Sequence, residues 1–274
     1  MSAVQIRIFP ARLSWPEAGN DARPIPRDAR RLRLVNKATG FESLREFESL
    51  EALWCFGIDQ TKLEQIAACS SLIELYCEYS LRISDISCLK KLPHLEVLRL
   101  DSCSTIKSLE QVREFTDLLC LGIENFKNVH DIRPLAKLTN LQQLAVEGSI
   151  WTQMKIDSLA PLSTLKNLEF LGLSSLKVLD KSLAPLASLT KLKQLFVANY
   201  YPLAEFARLA AKLPTTECTW FAPYMSLNLS CKKCNEGKRV LLTGKGTSTL
   251  CPRCDAKRLQ KHVDEFERIK NDAR

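Results

Sequence analysis

Four cysteines near the end of the chain are set out as Cys231-x2-Cys234-x16-Cys251-x2-Cys254. Two such pairs supply four soft thiolates at a spacing suited to tetrahedral zinc. With sulfur at every corner no position is left for water, so the expected cofactor is one structural Zn2+ per chain, without a catalytic role. The other seven of the eleven cysteines are scattered through leucine-rich sequence. An odd total, in a chain whose first residues lack an apolar export segment, favours reduced thiols. Most should pack as small hydrophobes. Cys120 falls at an outward strand position and is the scattered thiol whose reactivity would be tested.

Other chemistry is sparse. The three histidines, His94, His130 and His262, sit in no nucleophile or metalloprotease motif. The stretch TGKGTST is not a phosphate loop, because Lys245 is followed by Gly246 and no glycine stands at the required upstream position. The expectation is a protein that is not an enzyme and takes no small-molecule substrate.

The elements that must hold the cysteines can be read around them. RVLL-TGKG-TSTL has the form of a hairpin, and DAKRLQKHVDEFERIK carries Leu259, Val263, Phe266 and Ile269 at helical spacing. Knuckle, hairpin and helix in that order resemble a treble-clef zinc finger; a two-hairpin zinc ribbon is the alternative.

Upstream, a repeat dominates. LEALWCFGI, LIELYCEYS, LEVLRLDSC, LLCLGIENF, LQQLAVEGS, LEFLGLSSL and LKQLFVANY begin at Leu50, Leu72, Leu95, Leu118, Leu141, Leu168 and Leu192, with steps of 22, 23, 23, 23, 27 and 24 residues. Apolar residues recur nine, six and three positions before each start, as in Ile132, Leu135 and Leu138 before Leu141. The alternating part reads as a strand with one face buried, and the three-residue period as a 3-10 or tight helical segment on the same core. One unit cannot bury its apolar face alone, so units must stack into a solenoid.

Over residues 29–213 this pattern resembles the leucine-rich repeat family, with segments such as DIRPLAKLTNLQQLAVEGS closest to the internalin-type bacterial repeats. The resemblance implies an α/β solenoid, a horseshoe or arc with a parallel concave sheet, closed at the C-terminus by the small zinc finger. The chain departs from the family at the ninth repeat position, normally Asn or Cys. Only Cys103 matches, while Ile58, Ser80, Phe126, Ser149, Leu176 and Tyr200 stand there elsewhere. The expected divisions are residues 1–30, an N-terminal cap with an edge strand in VQIRIFP and a Pro-rich connector from Pro16 to Pro26; residues 31–225, the solenoid; and residues 226–274, the zinc finger with its amphipathic helix.

Residues between the buried strand positions should line the concave face. Position seven places Glu78, Asp101, Glu124 and Glu147 in one column, each pair repelling by roughly 0.9 kcal/mol in water at strand spacing. Position five adds Trp54, Tyr76, Arg99 and Phe196, with Phe56, Tyr79 and Phe170 nearby, and an insertion puts Trp151 on an edge loop, either to contact a partner or to fold back as a local plug. Trp54 and Tyr76 are expected to be exposed aromatic anchors for a protein partner. The acids point to a partner with a basic patch.

The net charge of +8 is concentrated at the ends, +4 in residues 1–36 and +6 in residues 231–274, leaving −2 between. That keeps nucleic-acid binding through the finger as the less favoured reading, via Lys232, Lys233, Lys238, Arg239, Lys245, Arg253, Lys257 and Arg258. No run of eighteen apolar residues suits a membrane span. The composite expectation is a cytoplasmic bacterial recognition protein, an adaptor or a toxin-neutralising immunity-type protein.

Overall fold

The computed structural model describes residues 6–9, 15, 19–35 and 37–274. Of the expected N-terminal cap and connector, residues 1–5, 10–14 and 16–18 lie outside the described residues.

Eight parallel strands form the concave sheet in the order β1-β2-β3-β4-β5-β6-β8-β10. They are β1 (Arg31–Leu34), β2 (Ala52–Phe56), β3 (Glu74–Glu78), β4 (Val97–Asp101), β5 (Cys120–Glu124), β6 (Gln143–Glu147), β8 (Phe170–Leu173) and β10 (Gln194–Val197). One repeat yields one strand, and the register keeps equivalent positions abreast: Leu98 lies beside Leu121, and Leu121 beside Leu144. Convex-side segments return the chain, as 3-10 turns at Phe41–Glu46, Ser87–Lys91, Glu110–Glu114, Arg133–Lys137, Ala160–Thr164 and Ala184–Ser188, and as the helix α1 (Gln60–Ile66) in the second unit. Pro134, Pro161 and Pro185 open three of these turns, where a missing N–H is tolerated.

The leucines of both periods meet in one continuous core in which Leu44, Leu89, Leu135, Leu162 and Leu186 are fully buried. The absent Asn ladder is replaced by packing: Ile58, Cys103, Phe126 and Leu176 at the ninth position are all buried. The chain leaves several strands through a left-handed residue, at Gly57, Tyr79, Ser102, Asn125 and Ser175. The long sixth unit makes room for β7 (Met154–Ile156), which pairs in parallel with β9 (Leu176–Val178) outside the main sheet.

The last repeat turns into α2 (Leu203–Lys212), as its helical spacing suggested. Then β11 (Tyr224–Ser230), β12 (Lys238–Leu242) and β13 (Thr249–Leu250) form a small antiparallel sheet, followed by α3 (Ala256–Asp272). α3 packs on α2, and its Phe266 is fully buried in the solenoid's own core. The Asn199 amide donates 2.9 Å hydrogen bonds to the Leu242 and Gly246 carbonyls and accepts from the Gly244 N–H at 2.7 Å. The Trp220 indole N–H donates to the Val197 carbonyl at 2.8 Å. The finger thereby covers the apolar end that a solenoid would otherwise leave open. Among the described residues no helix is long and apolar enough to cross a membrane.

The N-terminal segment corrects the expectation of an edge strand. Of the expected strand, the described residues 6–9 carry no strand; residues 7–9 form bends, and Ile6 and Ile8 lie across the concave sheet. Ile8 is buried in a second apolar cluster with Trp15, Ala52, Trp54, Tyr76, Val97, Cys120, Ala145 and Phe170.

Candidate functional site

The four cysteines converge. Their sulfurs all lie within 4.8 Å of one another, with Cys231 to Cys254 at 3.9 Å and Cys234 to Cys251 at 3.8 Å. A tetrahedral ion with metal–sulfur bonds of about 2.3 Å has sulfur–sulfur edges of about 3.8 Å, which these two edges match, so the four sulfurs could hold one metal ion. The knuckle is closed by the Cys231 N–H donating to the Gly237 carbonyl at 2.8 Å and the Asn235 N–H to the Cys231 carbonyl at 2.8 Å. A Cβ on Gly237 would stand 2.8 Å from the Cys251 sulfur, so only glycine lets the backbone pass this close. The second pair is tied to the start of α3, where the Asp255 carboxylate accepts from the Cys251 N–H at 3.0 Å.

The thiols respond to their surroundings in opposite directions. Backbone N–H groups lower Cys231 and, through Gly237, take Cys234 down to about 7. Cys254 is pushed up to about 12, chiefly by its hydrogen bond with the Cys234 sulfur. A cluster this tight favours thiolates only with a cation among them. Cys231, Cys234, Cys251 and Cys254 would hold the ion, which would act as a structural cross-link between knuckle and helix.

The concave face is altered by the N-terminal segment. Trp54 and Tyr76, expected to be exposed, are 2% and 1% accessible, and Phe170 is 2%. Trp15 packs edge-on against both Trp54 and Tyr76, with ring centroids 5.6 Å apart in each pair. Phe56 is half-buried and stacks on Trp54 at 5.9 Å. Sequence alternation had marked these residues as pointing away from the main core, and they do; what it could not show is that another part of the chain lies over them. The signal available was the apolar run at Ile6, Ile8 and Phe9, which needs a surface to cover.

The acidic column forms, with Asp101 beside Glu124 and Glu124 beside Glu147 in register. It is less open than expected: Glu78 and Asp101 are buried, and Glu124 and Glu147 are half-buried. Arg99, also buried, pairs with Glu124. Burial, the largest cause, raises Glu124 and Glu147 above the usual carboxylate range, with the Arg99 guanidinium opposing it in both. Cys120 is likewise covered, and burial pushes its thiol up to about 12, the opposite of a reactive cysteine.

Large apolar side chains are exposed elsewhere. Tyr79 is 62% accessible, Leu81 54%, Ile150 90%, Trp151 92%, Leu179 54% and Tyr200 54%. Tyr79, Leu81, Ile150, Trp151 and Tyr200 follow the C-terminal ends of β3, β6 and β10 in the parallel sheet and so lie on one edge of the solenoid, while Leu179 follows β9 of the small two-stranded sheet. Trp151 does not fold back as a local plug. Beside its loop, Lys155 and Lys177 are exposed and face each other in register across β7 and β9. Phe196, on the concave side near the finger, is 52% accessible and contacts Phe170 at 5.6 Å.

Among solved structures, an internalin (InlF) of Listeria monocytogenes superposes with a TM-score of 0.53 at 20% identity, over 69% of this chain and 60% of that one. This is the leucine-rich repeat fold. A second Listeria monocytogenes protein, internalin C2, gives a TM-score of 0.47 at 23% identity over 65% of this chain and 73% of its own. The leucine-rich repeat solenoid described above spans 60% of the length of the first internalin, and the likeness is one of fold. Models of known families give no match to the chain, nor do curated proteins.

Proposed function

We propose that the leucine-rich repeat array is a non-catalytic protein-recognition surface and that its working face is the edge carrying Ile150 and Trp151. The observation that carries this reading is the exposure of those two side chains in an array that buries the leucines of its repeat motif. Large exposed apolar residues clustered on one edge are costly to leave in water and are typical of contact sites. The adjacent Lys155 and Lys177 suit a partner that brings acidic groups alongside its apolar ones. A partner with a basic patch, inferred from the acidic column, has less to grip, because Glu78 and Asp101 are buried. Adaptor or toxin-neutralising roles need a surface of this kind and no active site, and these are the roles we assign to it.

The test is capture of partners from the native host by the full chain and by an Ile150→Ser, Trp151→Ser variant. Both positions are exposed, so melting should be unchanged while the partner recovered by the parent chain is lost. Undiminished capture by the variant refutes the edge as the contact face.

Nucleic-acid binding by the finger is the second reading, supported by the exposed Lys232, Lys233, Lys238, Lys245 and Lys257. Two of the expected contacts are already engaged, Arg253 with Glu236 and Arg258 with Asp255. Four thiolates with one Zn2+ also subtract two positive charges locally.

A further inference from the structure

The segment over the concave sheet is held as a ligand is held. The Arg7 guanidinium pairs with Glu74 and Glu96, each at 3.1 Å. Its N–H donates to the Gln143 side-chain oxygen at 2.8 Å, and its carbonyl accepts from the Tyr76 hydroxyl at 3.0 Å. Both backbone groups of Arg7 are thus satisfied by side chains of the solenoid. Among the described residues, no backbone–backbone hydrogen bond joins residues 6–9 to the sheet. An integral edge strand would be held by such a ladder; these contacts depend on side chains, as in peptide recognition.

The surface beneath is shaped for the occupant. Gly122, Ala145 and Gly172 lie abreast on β5, β6 and β8. The same repeat position holds Trp54, Tyr76, Arg99 and Phe196 elsewhere in the sheet, so the core does not require small residues there. A Cβ on Gly122 would meet the Ile8 side chain at 2.6 Å. Past this trough, Phe9 contacts Phe170 edge-on at 6.2 Å and lies under the Arg99 guanidinium at 4.6 Å.

We infer that the concave sheet is a peptide-binding groove, and that residues 6–9 with Trp15 are a cis ligand exchangeable for a partner segment carrying an arginine followed by two large apolar residues. Glu74 and Glu96 read the arginine, the small-residue trough takes the first apolar side chain, and Phe170 with Arg99 takes the second. The segment's covalent link gives it an effective concentration near millimolar, so a competing partner must bind tightly or find the segment already released. The groove goes beyond the edge contact proposed above and does not depend on it.

The experiment uses a fluorescently labelled peptide with the sequence of residues 1–18, titrated against the full chain, its Ile8→Asp variant and its Ile8→Asp, Gly122→Leu variant. Ile8→Asp weakens the cis ligand, so the peptide should bind that variant at least about tenfold more tightly than the parent. Adding Gly122→Leu should fill the trough and remove binding. A folded Ile8→Asp chain that fails to bind the peptide more tightly than the parent overturns the inference, as does a parent chain that runs as a dimer with its segment exchanged between copies. If Ile8→Asp does not fold, hydrogen exchange of the parent decides. Amides of residues 6–9 exchanging about a hundredfold faster than those of β5 support a ligand that leaves a folded groove. Equal rates would show a segment released only by global unfolding, and would overturn the inference.

Discussion

Replacing Phe266 by alanine asks whether the C-terminal helix closes the solenoid or merely hangs from it. The ring is fully buried and belongs to the same core as the repeat leucines, although it lies on α3 beyond the cysteine cluster. Truncating a buried phenylalanine costs about 3–5 kcal/mol, from lost burial and from the cavity left behind. Domains of ordinary stability hold only about 5–15 kcal/mol in reserve. For a chain of this size each kilocalorie moves Tm by roughly 2–4 °C, so the expected fall is about 6–20 °C. Because the ring touches both parts, the loss should appear in the transition of the whole chain, followed by far-ultraviolet circular dichroism and by urea titration. Leu229→Ala, at a side chain 58% exposed, is the control and should change little. A main transition within about 2 °C of the parent, accompanied by a separate early loosening of the finger, would refute the reasoning, because the finger would then be an appendage.

Two further outcomes follow from the same geometry. Elemental analysis should find about one zinc ion per chain, and strong chelation or Cys231→Ser with Cys254→Ser should remove it. Hydrogen exchange should then accelerate first in β12, β13 and α3, with the last repeats following; exchange unchanged by metal loss would rule out a structural ion. Glu147→Gln should raise stability at neutral pH, since burial raises the folded-state pKa of Glu147. A raised carboxylate favours the fold fully below its unfolded pKa and loses that benefit as pH rises through the folded value. The gain from the amide, read by urea denaturation, should therefore shrink as the pH is lowered through that window. A gain that persists at acid pH would contradict this assignment.

Much of the architecture was legible in sequence because each repeat states its own geometry. Leu95, Leu98 and Leu100, with Ile86, Leu89 and Leu92 before them, mark a strand and its return turn within some fifteen residues, and the next unit repeats the statement. The cysteine cluster was equally legible, since two short pairs bracket one hairpin. The edge loop at Trp151 was visible as an insertion, though its exposure was not. The departures at the ninth position were visible too, but not that Phe126 and Cys103 would be buried in the turns.

Sequence alone determined the repeating strand and turn, the stacking they compel and the four-sulfur site, because all of these arise from neighbours along the chain or from one unit meeting an identical next. Tertiary structure alone decided what covers the hollow side. The Arg7 N–H and the Gln143 side chain that accepts it are 136 residues apart, and no local period links them. Alternation reveals which side chains leave the leucine core, whereas their contact with water depends on where a distant segment comes to rest.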